Sequence, residues 1–174
     1  MGNWDTETFK KWWMTKLGIN TEHFSNRYTV AGNLMEIPII HMIEEQEGRK
    51  IKLGKRPVYR FRYRIRANYD GLARELIEIK TTKHGFAKVP KPYWQQCQVL
   101  MYATGKKEAS LYAYHMSEEE YRTAYFPQID PERIRRFTIL YDGGFIKNEY
   151  LPRVRYLAWC LRHKKWPKAG GFNV

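Results

Sequence analysis

Apolar positions recur along this chain with two periods, and the switches between them lay out the elements. Near the start, Phe9, Trp12, Trp13 and Leu17 follow the capping signature Asp5-Thr6-Glu7-Thr8, and Gly18 closes the run. That predicts a helix over roughly Thr6 to Leu17, in which Trp12 and Trp13 cannot both face a core. A polar connector, Asn20 to Tyr28, follows. Ile39, Ile40, Met42 and Ile43 then mark an amphipathic helix that turns acidic and stops at Gly48. Pro38 fits a first turn better than a helix interior, which leaves two starts open. An early start puts Glu36 on or beside the apolar face, where an acid needs a partner or a metal; a start at Ile37 leaves it at the cap.

The period then shortens to two. Arg49 to Leu53 reads as a short strand with a turn at Gly54. Val58 to Tyr69 reads as one long strand, with Tyr59, Phe61, Tyr63, Ile65 and Ala67 on the core face and Arg60, Arg62, Arg64 and Arg66 opposite. Asp70-Gly71 makes a tight turn into a second strand carrying Glu78-Ile79-Lys80. Glu78 and Lys80 share one face of it, and Ile77 and Ile79 the other. A basic loop, Thr81 to Pro90, leads to a helix from Pro92 to Gly105. Gln96 borders its apolar stripe, while Gln98 lies about 200° away, so only one of them faces a given neighbour. Glu108 to Met116 and Ile134 to Tyr141 are predicted strands, Ser117-Glu-Glu-Glu a helix cap, and Asn148 to Lys165 a last helix bent by Pro152. No repeat, low-complexity tract or linker interrupts 1–174, so the expectation is one α/β domain.

Charge narrows the partners. With 31 Lys+Arg against 18 Asp+Glu, and 16% aromatic residues, the chain suits a polyanion whose rings can also be stacked upon. Four successive arginines on one strand face repel one another unless an anion sits near, which makes phosphate the expected contact for Arg60, Arg62, Arg64 and Arg66. The chain has no apolar run long enough to span a membrane and no signal peptide at Met1-Gly2-Asn3-Trp4, so the expected location is cytosolic. Cys97 and Cys160 sit in apolar helical patterns and read as reduced core residues, and no Cys/His spacing supports zinc. Asp70 and Glu78 meet if their strands pair, placing two carboxylates and the Lys80 ammonium at one strand edge. Such a set suits a divalent cation beside a water or a phosphate.

A helix, a strand ending in Asp-Gly, a strand with Glu-x-Lys, a helix with Tyr-x-x-Gln and a further strand: this order resembles the PD-(D/E)XK nuclease superfamily. Within it the chain is most similar to the phage lambda exonuclease and YqaJ-type viral recombinase branch. Gly32-Asn-Leu-Met-Glu36, Asp70-Gly71, Glu78-Ile-Lys80-Thr-Thr and Tyr93-Trp-Gln-Gln96-Cys-Gln98 through Gly105 carry the likeness, over about 32–114. The resemblance implies a restriction-endonuclease-like core, a central mixed sheet flanked by helices. It implies a magnesium-dependent deoxyribonuclease, with manganese able to substitute, favouring 5′→3′ digestion of duplex DNA ends in phage-type recombination or repair. Asp70, Glu78 and the Ile79 carbonyl would hold the metal, with Glu36 as a further ligand. Lys80 would orient or deprotonate the attacking water, and Gln96, with Gln98 as fallback, would position Lys80 or the phosphate. Lys83, Lys88 and Arg27 join the arginines as DNA contacts. Ser25-Asn-Arg27 is only a weak analogue of the branch's 5′-phosphate grip. A single-strand annealing protein and a ring-shaped trimer are partners the resemblance implies. A structure-selective or restriction-type endonuclease, and a DNA-binding protein without chemistry, are the competing readings.

Overall fold

The structure, a computed structural model, describes residues 4–19, 27–123, 125 and 128–168. In chain order its elements are α1 (Glu7–Lys16), α2 (Arg27–Glu47), β1 (Lys52–Leu53), β2 (Val58–Arg60), β3 (Ile65–Ala67), β4 (Gly71–Leu72), β5 (Leu76–Thr82) and α3 (Lys91–Thr104). Then come β6 (Glu108–His115), α4 (Glu120–Thr123), β7 (Ile134–Leu140), α5 (Gly143–Phe145) and α6 (Leu151–Arg162). The described residues gather into two compact units, one of 27–58 and 66–141, the other of 4–19, 59–65 and 142–168. Among them no helix is long and apolar enough to cross a membrane.

The larger unit is built on a five-stranded mixed sheet in the order β1-β4-β5-β6-β7. Only β5 and β6 run parallel, with Leu76 opposite Ala109, Glu78 opposite Leu111 and Thr82 opposite His115. Met35, Ile39, Ile40 and Ile43 of α2 bury one face against Ile77, Ile79, Tyr112 and Tyr114. Cys97, Leu100 and Met101 of α3 bury the other against Leu76, Ala109 and Leu111. Strands covered on both faces read as near-continuous apolar runs, which is why the two charged residues of β5, Glu78 and Lys80, stand out. Near the start of β5, buried Glu75 accepts hydrogen bonds from Arg49 (2.9 Å) and Ser110 (3.1 Å). Beyond β6, Ser117 and Glu120 form a reciprocal capping box: Ser117 N–H donates to Glu120 Oε2 at 2.7 Å and Glu120 N–H to Ser117 Oγ at 3.3 Å.

One open alternative is settled and one expectation is corrected. First, α2 runs from Arg27 through Pro38, so Glu36 lies inside a helix and not at its cap. The proline removes one backbone bond and disfavours continuation, but buried Met35 and Ile39 on either side hold the helix to the sheet. Second, the strand expected from Val58 to Tyr69 is broken. β2 gives way to a 3₁₀ turn at Phe61–Tyr63, Arg64 adopts a left-handed conformation (φ 53°), and β3 resumes at Ile65. Left-handed backbone at a non-glycine residue ends the alternation, so Ile65 and Ala67 are buried while Phe61 is 83% exposed. The arginines therefore do not form one ladder. Ser25, the remaining part of the weak 5′-phosphate analogue, lies outside the described residues.

In the smaller unit Thr6 caps α1 as expected, its Oγ1 accepting from Phe9 N–H at 3.2 Å. Trp13 is 4% exposed and Trp12 37%, which answers which tryptophan the core takes. Phe9 packs edge-on against Trp4 and Trp166, at 4.9 and 5.5 Å between ring centroids. Pro152 falls in the first turn of α6, just after a π turn at Ile146–Tyr150.

Candidate active site

The site is assembled where β4 stops and β5 continues. Gly71 pairs with Ile77 and Leu72 with Leu76, so from Glu78 onward β5 has no β4 partner. Asp70 takes over that place: its Oδ2 accepts the Ile79 N–H at 2.7 Å. The N–H and C=O of a strand residue point to the same side, so the Ile79 carbonyl shares this edge with Asp70. Asp70 is itself pinned, because its own carbonyl accepts from Gly54 N–H at 2.9 Å. A Cβ on Gly54 would stand 1.7 Å from the Tyr69 carbonyl oxygen, so only glycine permits this approach.

Glu78 is 2% exposed. Its Oε1 accepts from Lys80 Nζ at 2.5 Å and from Gln96 Nε2 at 2.6 Å. Its Oε2 is buried with no hydrogen-bond partner. Gln98 turns away, donating to the Leu140 carbonyl at 2.8 Å, so of the two glutamines it is Gln96 that meets the acidic cluster. Gln96 therefore meets Glu78, the same carboxylate oxygen that Lys80 donates to. Lys80 Nζ also lies 5.7 Å from the centre of the Tyr93 ring.

These groups perturb one another. Burial, and after it Asp70, pushes Glu78 up to about 7. Burial and then Asp70 push half-buried Glu36 up to about 7 as well. Burial also raises Asp70, partly offset by the Ile79 N–H. For Lys80 burial opposes the charge, but Glu78 outweighs it and the ammonium ends above its ordinary value. Burial, with Glu78 next, drives the Cys97 thiol up to about 12, which keeps it inert. Three carboxylates raised together are short of positive charge, and Lys80 alone does not supply it.

That deficit and the orphaned Glu78 oxygen fit a divalent cation. Among the described residues no three acidic, histidine or cysteine side chains form a closed cage. Magnesium does not require one, since it keeps several waters and uses one or two carboxylates with substrate phosphate. Asp70, Glu78 and the Ile79 carbonyl are the residues that would serve as such a set, with Glu36 electrostatically coupled to Asp70.

The remaining expected contacts divide. Arg27 and Lys83 are brought together: both pair with Glu118 at 2.6 Å and both donate to the Tyr28 hydroxyl, at 2.6 and 2.8 Å. Lys88 and Arg66 are exposed, and Arg60, Arg62 and Arg64 belong to the smaller unit. Reading the sequence put a turn at Gly54 and Tyr93 in the helix motif, but gave neither a role at the site. The Tyr-x-x-Gln spacing carried the second signal, because positions three apart share a helix face. Nothing local marked Glu118 as the acid that Arg27 and Lys83 share.

No family model matches the chain, and no curated protein does. Its fold, however, is similar to that of solved exonuclease structures. An alkaline exonuclease from Laribacter hongkongensis, LHK-Exo, superposes with a TM-score of 0.71 at 18% identity, over 92% of this chain and 82% of that one. The same protein in complex with dAMP gives 0.72, at 18% identity over 92% and 83%. A phage-related exonuclease from Haemophilus somnus 129PT gives 0.64, at 17% identity over 86% and 79%.

Proposed function

We propose that this chain is a divalent-metal-dependent deoxyribonuclease, a 5′→3′ exonuclease acting on duplex DNA ends, with 1–174 as one nuclease domain. The observation that carries the reading is Glu78: buried, tied to Lys80 and Gln96 through one oxygen, and left with a second oxygen that no described residue satisfies. A purely structural ion pair has no use for that oxygen, and a passive DNA binder gains nothing from three acids beside phosphates. Asp70, Glu78 and the Ile79 carbonyl would hold the cation, magnesium or manganese, with Glu36 beside them. Such a cation supplies Lewis-acid charge opposite the phosphoryl oxygens.

The chain's own residues do the rest. Asp70 keeps the Ile79 edge open by taking its N–H. Gln96 fixes the carboxylate of Glu78 through Oε1, so that Oε2 is the oxygen that would bind the cation. Lys80, held charged by Glu78, donates to the attacking water and to the phosphate, orienting the one and steadying charge on the other. The water oxygen bonds to phosphorus and the bond to the 3′ oxygen breaks; the attacking water gives its proton to solvent, the 3′ oxygen takes one from solvent, the 5′-terminal nucleotide departs with a 3′ hydroxyl, and the new 5′ phosphate stays on the shortened strand. Arg27 and Lys83, with Arg66 and Lys88, supply cationic contacts for the backbone, joined by Arg60, Arg62 and Arg64. The dAMP bound by LHK-Exo supports a deoxynucleotide ligand. A cytosolic location, a ring-shaped trimer and an annealing protein that takes the product strand complete the reading.

The test is one gel assay. Linear duplex labelled at either end, and a covalently closed circle, are incubated with magnesium or with chelator. Shortening of the linear substrate alone, only with magnesium and from the 5′ ends, is expected. Cutting of the circle would replace the exonuclease with an endonuclease, and retardation of both without cutting would reduce the protein to a binder.

A further inference from the structure

The break in the strand after Arg60 leaves two large rings outside. Tyr59 is 47% exposed and Phe61 83%. Their rings are stacked, 5.6 Å between centroids and 8° between planes. In the same unit Trp4 and Trp13 are buried in a cluster with Phe9 and Trp166. Tyr59 and Phe61 instead present a parallel stack whose outer faces meet solvent. They are interleaved with Arg60, Arg62 and Arg64, all exposed, in a segment that carries six Lys or Arg and no acid between Gly54 and Asp70. The turn is held in shape. Arg64 N–H donates to the Phe61 carbonyl at 3.0 Å, and Arg155 donates to the Tyr63 hydroxyl at 3.2 Å with its guanidinium 5.2 Å from that ring.

We infer that this turn is a stacking platform for single-stranded DNA, with an unpaired base lying on the exposed Phe61–Tyr59 stack and the neighbouring arginines meeting the flanking phosphates. Three features select this occupant. Parallel rings extend a base stack without regard to sequence, because every base has a π face. The alternation of aromatic and guanidinium groups matches the alternation of base and phosphate along a single strand. A duplex keeps its base faces covered, so it engages the arginines but not the rings. The assignment deepens the nucleic-acid reading above, but it does not pass through Asp70, Glu78 or Lys80, and it is tested where no cutting can occur.

Fluorescence anisotropy in EDTA measures it, with a labelled oligothymidylate of about 15 nucleotides, an abasic strand of equal length and a blunt duplex as probes. Phe61→Ala and Tyr59→Ala are each expected to weaken oligothymidylate binding about tenfold or more, with abasic and duplex binding unchanged. Phe61→Trp is expected to restore or tighten it. Arg62→Gln should weaken all three probes and lower the single-strand salt slope by about 0.7. Phe61 is exposed enough that its truncation leaves no cavity, and an unchanged circular-dichroism melt verifies the fold. The inference is overturned if the ring variants bind oligothymidylate as the parent does, or lose abasic and thymidylate strands equally. It is also overturned if their sole effect is a smaller sedimenting species, which would make the turn a contact between copies. Failure of cleavage with these results intact would remove the nuclease reading and leave the platform.

Discussion

Replacing Glu78 with glutamine should make the metal-free protein more stable, although the residue lies at the centre of the site. Burial and Asp70 push the Glu78 pKa from 4.5 up to about 7. Between those values the folded state keeps a proton that the unfolded chain has released, so stability falls as the pH rises through this window and levels off above it. A difference of that size is worth about 3 kcal/mol. Glutamine keeps the shape and the acceptor for Lys80 and Gln96, and presents the neutral form at every pH. In EDTA at pH 8, urea unfolding should therefore show Glu78→Gln more stable by about 3 kcal/mol, or roughly 6–12 °C in a thermal melt. At pH 5 the gap should shrink to under about 1 kcal/mol, because the parent carboxyl is then mostly protonated in the fold. Added magnesium should stabilise the parent more than the variant, which keeps Asp70 but lacks the Glu78 carboxylate. Equal stability at pH 8, or a gap indifferent to pH, would refute the view that the fold holds an uncompensated carboxylate here.

Further outcomes follow from the same geometry. Lys80→Ala should cut DNA hydrolysis by about 10²–10³-fold or more with far-ultraviolet dichroism unchanged, as read by product formation under single-turnover conditions. Gln96→Ala frees the carboxylate of Glu78 and should raise the magnesium concentration for half-maximal activity about 10–100-fold. Gln98→Ala should instead cost about 1–3 kcal/mol in urea unfolding by orphaning the Leu140 carbonyl, with activity per folded molecule preserved. Gly54→Ala forces a Cβ to within 1.7 Å of the Tyr69 carbonyl, so its soluble yield and melting temperature should collapse, by 3 kcal/mol or about that.

Much of the site could be read directly because β5 obeys a strict rule. Side chains alternate across a strand, so Glu-x-Lys between apolar neighbours fixes which groups meet, and the Pro and Gly bounding α3 fix that helix. What failed was alternation taken as sufficient. From Val58 to Tyr69 the pattern is unbroken in sequence, yet Arg64 turns left-handed and the stretch becomes two short strands around a 3₁₀ turn. A period-two pattern records which residues would suit a strand; it does not record where the backbone departs from one. Pro38 erred the other way, since a local helix breaker was overridden by contacts with strands far along the chain. The partners of Gln96 and Gln98 were legible only as an either-or, because a helix face is visible in a sequence but its neighbour is not.

Asp70 holds two posts at once, and that shapes how an inactive form of this protein should be made. Its Oδ2 is an acceptor in the backbone scaffold of β5, while its charge belongs to the acidic cluster. Truncation to alanine dismisses it from both, leaving Ile79 N–H without its acceptor and loosening the edge that carries Glu78. Asparagine separates the posts, since an amide oxygen can still receive that N–H while the charge is gone. A trapped, uncut substrate complex is therefore to be sought with Asp70→Asn, in which the Ile79 N–H keeps its acceptor.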